Sequence, residues 1–200
     1  MAHDIPLRCD CGALTGVALG IGPSTGCRVI CYCGDCQAFS RFLARPGTTD
    51  EWGGTDIFQI APSRVRLTTG AEVLSCVRLS DKGMHRWYCG KCKTPVGNTL
   101  SPRIPFVGLI HSFMDHRSDG RERDAALGKP LGYVQTKSAL GNLPARPRDA
   151  SLLRVIARSV RLLGTAWLSG AGSPSAFFDE RTHVPRATPR ILQPDERRAL

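Results

Sequence analysis

Seven of the nine cysteines lie in three tight groups whose spacing is typical of metal ligands. The groups are Cys9 with Cys11, Cys31 with Cys33 and Cys36, and Cys89 with Cys92. An odd number of cysteines at these short spacings fits metal binding better than a disulfide framework. Zinc prefers thiolate ligands, with four protein ligands at structural sites and an open position at catalytic ones. Whether a zinc site here is structural or catalytic therefore depends on how many of the seven thiols bind each ion.

The first and last groups together supply the four ligands of a closed site. Strand side chains alternate between faces, so a strand through Cys9 and Cys11 would place both thiols on one face. The Cys89–Cys92 spacing predicts a tight turn that presents two sulfurs. Because Cys9 and Cys89 are 80 positions apart, a shared zinc would join distant parts of the chain and restrict the unfolded state. We predict a structural zinc at these four cysteines.

The middle group, within VICYCGDCQAF at 29–39, has two interpretations. If Cys27 joins Cys31, Cys33 and Cys36, the second zinc site is closed and structural. If Cys27 points into the core, the fourth position is open to water or to a substrate thiol. The catalytic candidates are therefore Cys31, Cys33 and Cys36, and Cys27 is a possible fourth ligand.

A few other residues could contribute to chemistry. His111, in the apolar stretch PFVGLIHSF, could be a proton shuttle or a metal ligand, or an ordinary strand residue. Asp35 is a candidate N-cap for a short helix, with an acid-base role as the alternative. Cys76 is predicted to be a small core residue.

The elements that must position these residues are mostly short strands separated by Gly, Pro and Asp turns. Residues 5–116 are predicted to form a zinc-binding β domain. Its strands are ALTGVALGI, CRVICY, DIFQIAP, VRLTTG, EVLSCVRLS, MHRWYC and PFVGLIHSF. One helix is expected in DCQAFSRFLA, directly after the middle cysteines.

The rest of the chain is predicted to contain a connector, a helix and a tail. Residues 117–148 are charged and rich in Gly and Pro, which indicates a connector with little regular structure. Residues 149–200 are predicted to comprise an amphipathic helix at 149–170, beginning near Asp149, and an extended tail that docks through Phe177 and Phe178. The apolar face of this helix should pack on the β domain or on a second subunit, which makes an oligomer possible, with a membrane surface as the alternative. The members of that face are Leu152, Ile156, Val160, Leu163 and Trp167.

The order of the cysteine motifs resembles that of a known family. A C-x-C-G opening at Cys9 is followed by CYCGDC at 31–36, and then by an aromatic residue, C-x2-C and Thr-Pro in WYCGKCKTP. Over about residues 5–113 this pattern resembles the glutathione-dependent formaldehyde-activating enzymes, whose relatives include centromere protein V. The resemblance implies a mainly β fold, a β-tent of antiparallel sheets. It also implies two zinc ions, a structural one at Cys9, Cys11, Cys89 and Cys92 and an active-site one at Cys31, Cys33 and Cys36.

The function implied by the resemblance is that of S-hydroxymethylglutathione synthase, a carbon-sulfur lyase that adds glutathione to formaldehyde. The expected partner is then a small-molecule thiol such as glutathione. Lys93 stands where the family usually has Gly, and Tyr32 where a His is frequent, which indicates a divergent member with another substrate. The alternative is a non-catalytic zinc-binding interaction module.

Charge and hydropathy restrict the classes of binding partner and the location that the sequence predicts. The formal charge is +10, and residues 117–200 carry most of the excess. A basic balance without aromatic interleaving or a base-reading motif does not predict nucleic acid binding. The start MAHDIPLRCD lacks the basic and apolar regions of a signal peptide, and no stretch is apolar enough for a membrane span. The sequence therefore predicts a cytoplasmic protein.

Overall fold

The computed structural model of the chain describes residues 2–115, 122–143 and 149–200, with the backbone alone at 149–151. The fold is mainly β and is built from two sheets. The strands are β1 (His3–Arg8), β2 (Thr15–Ile21), β3 (Cys27–Cys31), β4 (Thr55–Ile60), β5 (Val65–Thr69), β6 (Leu74–Arg78), β7 (His85–Cys89), β8 (Pro95–Thr99), β9 (Val107–Ile110), β10 (Gly132–Val134) and β11 (Arg190–Ile191). The helices are α1 (Gly34–Phe42), α2 (Arg123–Leu127), α3 (Asp149–Leu168) and α4 (Pro194–Arg198).

The small sheet is antiparallel, in the order β1-β2-β5. The large sheet has eight strands, in the order β10-β3-β4-β9-β8-β7-β6-β11. Its inner pairs are antiparallel, whereas the edge strands β10 and β11 pair in parallel with β3 and β6. The described strands do not close into a barrel. The prediction of a mainly β fold with a C-terminal helix is thus confirmed.

The main core is formed by apolar side chains of both sheets. Ile5 and Ile21 of the small sheet and Trp87 and Leu109 of the large sheet are all buried in one cluster. Because strand side chains alternate, each strand can give one face to this core. The core extends to the tail, since the Phe177 ring lies 5.2 Å from the Trp87 ring. Cys76 belongs to the same cluster, as predicted for a core residue.

The segments after residue 116 contain more regular structure than predicted. The proposed connector at 117–148 includes α2 and β10 within its described part, and the tail includes β11 and α4. Docking of the tail through Phe177 and Phe178 is confirmed, because both are buried against Trp87. Since β10 and β11 are edge strands of the large sheet, the connector and tail are parts of one architecture with the β domain.

Helix α3 begins at Asp149, as predicted, but a different face packs on the domain. The buried side chains are Val155 and Ala166, and the helix contacts β3 and β10. Ile156, Val160 and Trp167, which were expected to pack on the β domain or on a second subunit, do not pack on the domain and are 49%, 64% and 73% exposed. No helix within the described ranges is long and apolar enough to cross a membrane.

Candidate metal centres

The first cysteine group is assembled by two turns that follow β1 and β7. The Sγ atoms of Cys9, Cys11, Cys89 and Cys92, hereafter the four-cysteine group, lie within 4.8 Å of one another. The Cys9–Cys11 and Cys11–Cys89 sulfurs are 3.5 Å and 4.0 Å apart. Sulfurs around a tetrahedral zinc with Zn–S bonds of 2.3 Å lie about 3.8 Å apart. The four thiols therefore fit a zinc ion in both number and spacing.

The local backbone differs from the prediction at one of these two turns. Cys89 ends β7 and leads into a tight turn, as expected, where Lys93 adopts a positive φ of 62°. Strand β1, however, ends at Arg8, and Cys9–Cys11 lies in a turn closed by the Gly12 N–H donating to the Cys9 carbonyl at 2.9 Å. The prediction of a strand at Cys9–Cys11 was therefore wrong, and the turn gathers the thiols instead.

Polar groups around the four-cysteine group orient its sulfurs. The Leu14 N–H donates to Cys9 Sγ at 3.2 Å, and Thr94 Oγ1 lies 3.2 Å from Cys92 Sγ. Burial raises the pKa of the Cys89 thiol to about 12. At Cys92 burial also raises the pKa, but hydrogen bonds with Thr94 outweigh it and lower the pKa to about 6. Such outer contacts are typical of metal ligands, because they fix the ligand orientation.

The second group lies at the junction of β3 and α1. Cys31 ends β3, Cys33 caps α1, and Cys36 occupies the first turn of the helix. The three Sγ atoms, hereafter the three-cysteine group, lie within 4.8 Å of one another. The N-cap is Cys33, whose sulfur accepts from the Cys36 N–H at 3.4 Å. The prediction of Asp35 as N-cap was therefore wrong, and a thiol takes this position.

The close approach of the three sulfurs favours a thiolate at Cys33. Hydrogen bonds from Cys31 and Cys36 lower the pKa of the Cys33 thiol, and the same pairing raises the pKa of Cys31. The first turn of a helix also favours a thiolate, because its N–H groups and the helix dipole attract negative charge. A bound cation would displace the remaining thiol protons, since metal binding to thiols releases them.

Arg86 is a buried cation beside the three-cysteine group. Its side chain is 2% exposed, and Nη1 lies 4.0 Å from Cys36 Sγ. Nη2 lies 3.6 Å from the Asp35 carboxylate, which also pairs with Arg197 of α4 at 3.0 Å. Nε of Arg86 is buried without a hydrogen-bond partner. Sequence reasoning missed Arg86, although a charged residue inside the apolar strand HRWYC was a signal.

We predict that Arg86→Gln weakens zinc binding at the three-cysteine group roughly 10- to 100-fold, as expected for loss of an outer-shell partner. The physical reason is that a zinc with three thiolates carries a net charge of −1, which the nearby guanidinium compensates in a buried setting. Competition with a chelator of known affinity would measure the change. Arg197→Gln is the matched control, because Arg197 pairs with the same Asp35 but has no contact with the thiols. Equal losses in both variants would contradict a specific role for Arg86.

Cys27 shares an apolar cluster with Cys36 but is not one of the three grouped thiols. It is 1% exposed, belongs to the β3 strand, and Ser159 Oγ of α3 lies 3.8 Å from its sulfur. It is not among the thiols whose sulfurs lie within 4.8 Å of one another. Burial raises its pKa, which favours a protonated thiol. Within the described ranges, the group therefore has three ligands and no fourth from His, Cys, Asp or Glu.

His111 is positioned in a different environment from the one predicted. It begins a short 3-10 helix after β9, beside the buried ion pair in which Arg28 Nη2 lies 2.8 Å from Asp56. Burial and the charge of Arg123 lower the pKa of His111 to about 4, so the ring is neutral near pH 7. His111 and Cys9 line a common cavity of about 410 Å³, and His111 is not grouped with Cys31, Cys33 and Cys36. Its role as a shuttle for the three-cysteine group stays a prediction without geometric support.

Comparison with known proteins gives a family and a distant structural likeness. Residues 1–187 match a family described as "Family of unknown function (DUF6151)". No curated protein matches the sequence. A crystal structure of a Rhodobacter sphaeroides protein, a Northeast Structural Genomics target, is 18% identical, with a TM-score of 0.41 over 64% of this chain and 99% of that chain. None of these descriptions names an activity, so the resemblance to formaldehyde-activating enzymes stays a prediction.

Proposed function

We propose that this chain, which belongs to the DUF6151 family of unknown function, is a zinc-dependent enzyme that acts on a small thiol or its carbonyl adduct. In this proposal the four-cysteine group holds a structural zinc and the three-cysteine group holds a catalytic one. The activity would be that of a carbon-sulfur lyase related to S-hydroxymethylglutathione synthase, with glutathione or another small thiol as the substrate.

The observation that carries the proposal is the incomplete ligand set at 31–36. The four-cysteine group can close a tetrahedral site by itself, whereas the three-cysteine group lacks a fourth His, Cys, Asp or Glu among the described residues. Three protein ligands and one open position are typical of catalytic zinc. Cys31 and Cys33 are only partly buried, so part of each residue is open to solvent.

The chemistry needs a thiolate held next to an electrophilic carbonyl. A bound zinc would lower the pKa of a substrate thiol and hold its sulfur as thiolate. The thiol proton is released, the sulfur forms a bond to the carbonyl carbon, and the carbonyl oxygen takes up a proton to become a hydroxyl. The reverse sequence cleaves the carbon-sulfur bond, so neither direction consumes an oxidant or a reductant.

The residues around the three-cysteine group support binding of an anionic sulfur. Arg86 supplies a buried positive charge 4.0 Å from Cys36. The N-terminus of α1, at Cys33, adds the positive end of a helix dipole. Together they offset part of the negative charge that a fourth thiolate would bring to the site.

The test is a titration of the cobalt-substituted protein with glutathione, followed by visible absorption. We expect two cobalt ions per chain, and a change in the spectrum of one of them as the thiol occupies the open position. Methylated glutathione, which lacks a free thiol, is the control ligand and should leave the spectrum unchanged. Two spectra typical of closed four-thiolate sites that ignore glutathione would overturn the proposal.

That negative result would favour the second candidate, a non-catalytic zinc-binding interaction module. Exposed apolar residues on α3 give this alternative a specific surface. Deletion of 145–200 is unsuitable as a test, because it would also remove Phe177 and Leu192 from the cores. Point substitutions on the exposed face of α3 test partner binding without this loss.

A further inference from the structure

The outer side of α3 is an apolar surface that the fold leaves uncovered. We call the following exposed side chains the α3 outer face: Leu152, Leu153, Ile156, Val160, Trp167 and Leu168. Leu153, Trp167 and Leu168 are 73%, 73% and 84% exposed. Single exposed apolar residues are common on proteins, but a continuous exposed stripe marks an interaction surface.

The helix is held in place by its inner side, so the outer face is presented rigidly. Val155 and Ala166 are buried on the domain. The Arg158 Nε–H donates to the Gly26 carbonyl at 3.0 Å, and Ser159 Oγ donates to Gln59 Oε1 at 2.9 Å. Because these contacts fix the rotation of α3, the apolar stripe cannot turn inward without breaking them.

The charge on the helix itself is positive, whereas two acidic residues, Asp179 and Glu180, lie beside its C-terminal end. Residues 150–178 contain three arginines and no Asp or Glu. Arg154 and Arg161 are exposed and lie seven residues apart, so they project from the same side of the helix, at the edge of the outer face. A partner of this face should therefore combine an apolar interior with a negatively charged rim.

A neighbouring loop continues the surface at the C-terminal end of α3. Trp167, Arg103 and Pro105 line a common hollow of about 220 Å³. The same loop carries Ile104, which is 39% exposed. Asp179 and Glu180 line the same hollow, so an aromatic and a basic side chain lie beside two acidic ones at this end. Tryptophan and arginine are suited to the boundary between lipid tails and head groups.

A second copy of the chain fits this face less well. A 20-residue helix is about 30 Å long and 10 Å wide, so one face covers roughly 300 Å², whereas a stable interface buries about 800 Å² on each partner. A symmetric pair would also bring the same arginines together, at a formal charge of +10 per chain. Binding to a lipid surface requires neither shape complementarity nor the buried area of a protein–protein interface.

We propose that the α3 outer face docks in the plane of an anionic lipid surface, with its apolar side chains among the acyl chains and its arginines at the head groups. This binding mode scales with buried apolar area and with attraction to anionic lipids. The proposal is independent of the zinc chemistry, because it concerns a surface on another element.

The test uses the zinc-loaded full chain with vesicles of phosphatidylcholine alone and vesicles that also contain phosphatidylglycerol. We expect flotation with the anionic vesicles, weaker flotation with the neutral ones, and loss of binding at high salt. Of the three tryptophans, Trp87 is buried and Trp167 is the exposed one, so tryptophan emission should shift to the blue on binding. Trp167→Phe should abolish that shift and preserve flotation.

Val160→Glu should weaken binding to the anionic vesicles about tenfold or more, because it removes a Val-sized apolar contact and adds a repelled charge. Leu140→Glu is the matched control, since Leu140 is 53% exposed but lies outside α3, and it should bind like the unmodified chain. The proposal is overturned by absence of flotation at low salt or by flotation that Val160→Glu leaves unchanged. It is also overturned by a lipid-free dimer that Val160→Glu dissociates, which would assign the face to a second copy.

Discussion

Replacing Cys89 with serine is expected to remove the zinc of the four-cysteine group and to unfold the protein. Cys89 is fully buried and ends β7, and its group joins this strand to the turn after β1. Cross-linking a loop of about 80 residues restricts the unfolded chain by about 4 to 5 kcal/mol in the chain-entropy model. Structural zinc contributes roughly 10–16 kcal/mol of binding free energy in small zinc domains. The free energy of unfolding of a typical domain is only about 5–15 kcal/mol. The stabilisation lost with this zinc should therefore exceed the stability of the whole domain.

The measurement is thermal unfolding together with zinc content after purification in a zinc-containing buffer. We expect Cys89→Ser to show no cooperative transition, or one far below that of the unmodified chain. Cys76→Ser is the matched control, because Cys76 is also a buried strand cysteine but lies outside both metal groups. It should keep two zinc ions and lose only modest stability. A folded Cys89→Ser protein with one zinc would show that the four-cysteine group is dispensable for the fold.

The sequence was sufficient to predict the four-cysteine group, because ligand spacing is a local property. C-x-C and C-x2-C pairs bring two thiols together whatever the rest of the chain does, and Cys89 with Cys92 is the other separate pair outside the middle group. The backbone at Cys9–Cys11 was still predicted wrongly, since a strand and a turn can both place two thiols side by side. The chemistry was therefore easier to predict than the conformation.

The missed strands depend on distant partners. β10 is three residues long and lies in a charged segment rich in Gly, yet it pairs with β3 about a hundred residues earlier. β11 has two residues and pairs with β6. Strands this short have no periodicity of their own, so an edge position on an existing sheet is what orders them. Local sequence cannot reveal that position.

Helix α3 shows a different limit. Its 3.6-residue periodicity predicted the helix and its start at Asp149, but periodicity cannot say what an apolar face contacts. In the structure, the side of α3 that packs on the domain is narrow. It consists of the buried Val155 and Ala166 and of polar contacts from Arg158 and Ser159. A pattern that normally indicates packing on the domain here leaves its larger apolar face exposed.

Replacing Cys33 with serine is expected to remove the second zinc and all thiol binding while leaving the fold intact. Cys33 is partly buried at the start of α1, and the helix keeps other contacts, since Phe39 and Leu43 are buried in their own cluster. Serine can still cap the helix through its hydroxyl. Two thiols are too few to hold the zinc, so the loss of affinity should exceed the roughly 10- to 100-fold expected for an outer-shell change. Zinc content should fall from two ions to one per chain.

The same measurement on Cys27→Ser decides whether the second site is open. Because Cys27 lies outside the three-cysteine group and its sulfur is near Ser159, this variant should keep two zinc ions and the cobalt response to glutathione. Loss of the second zinc in both variants would mean that Cys27 closes the site, and the enzyme proposal would then fail. Retention in Cys27→Ser with loss in Cys33→Ser leaves one coordination position to an external ligand. That position is what distinguishes a reactive zinc from a structural one.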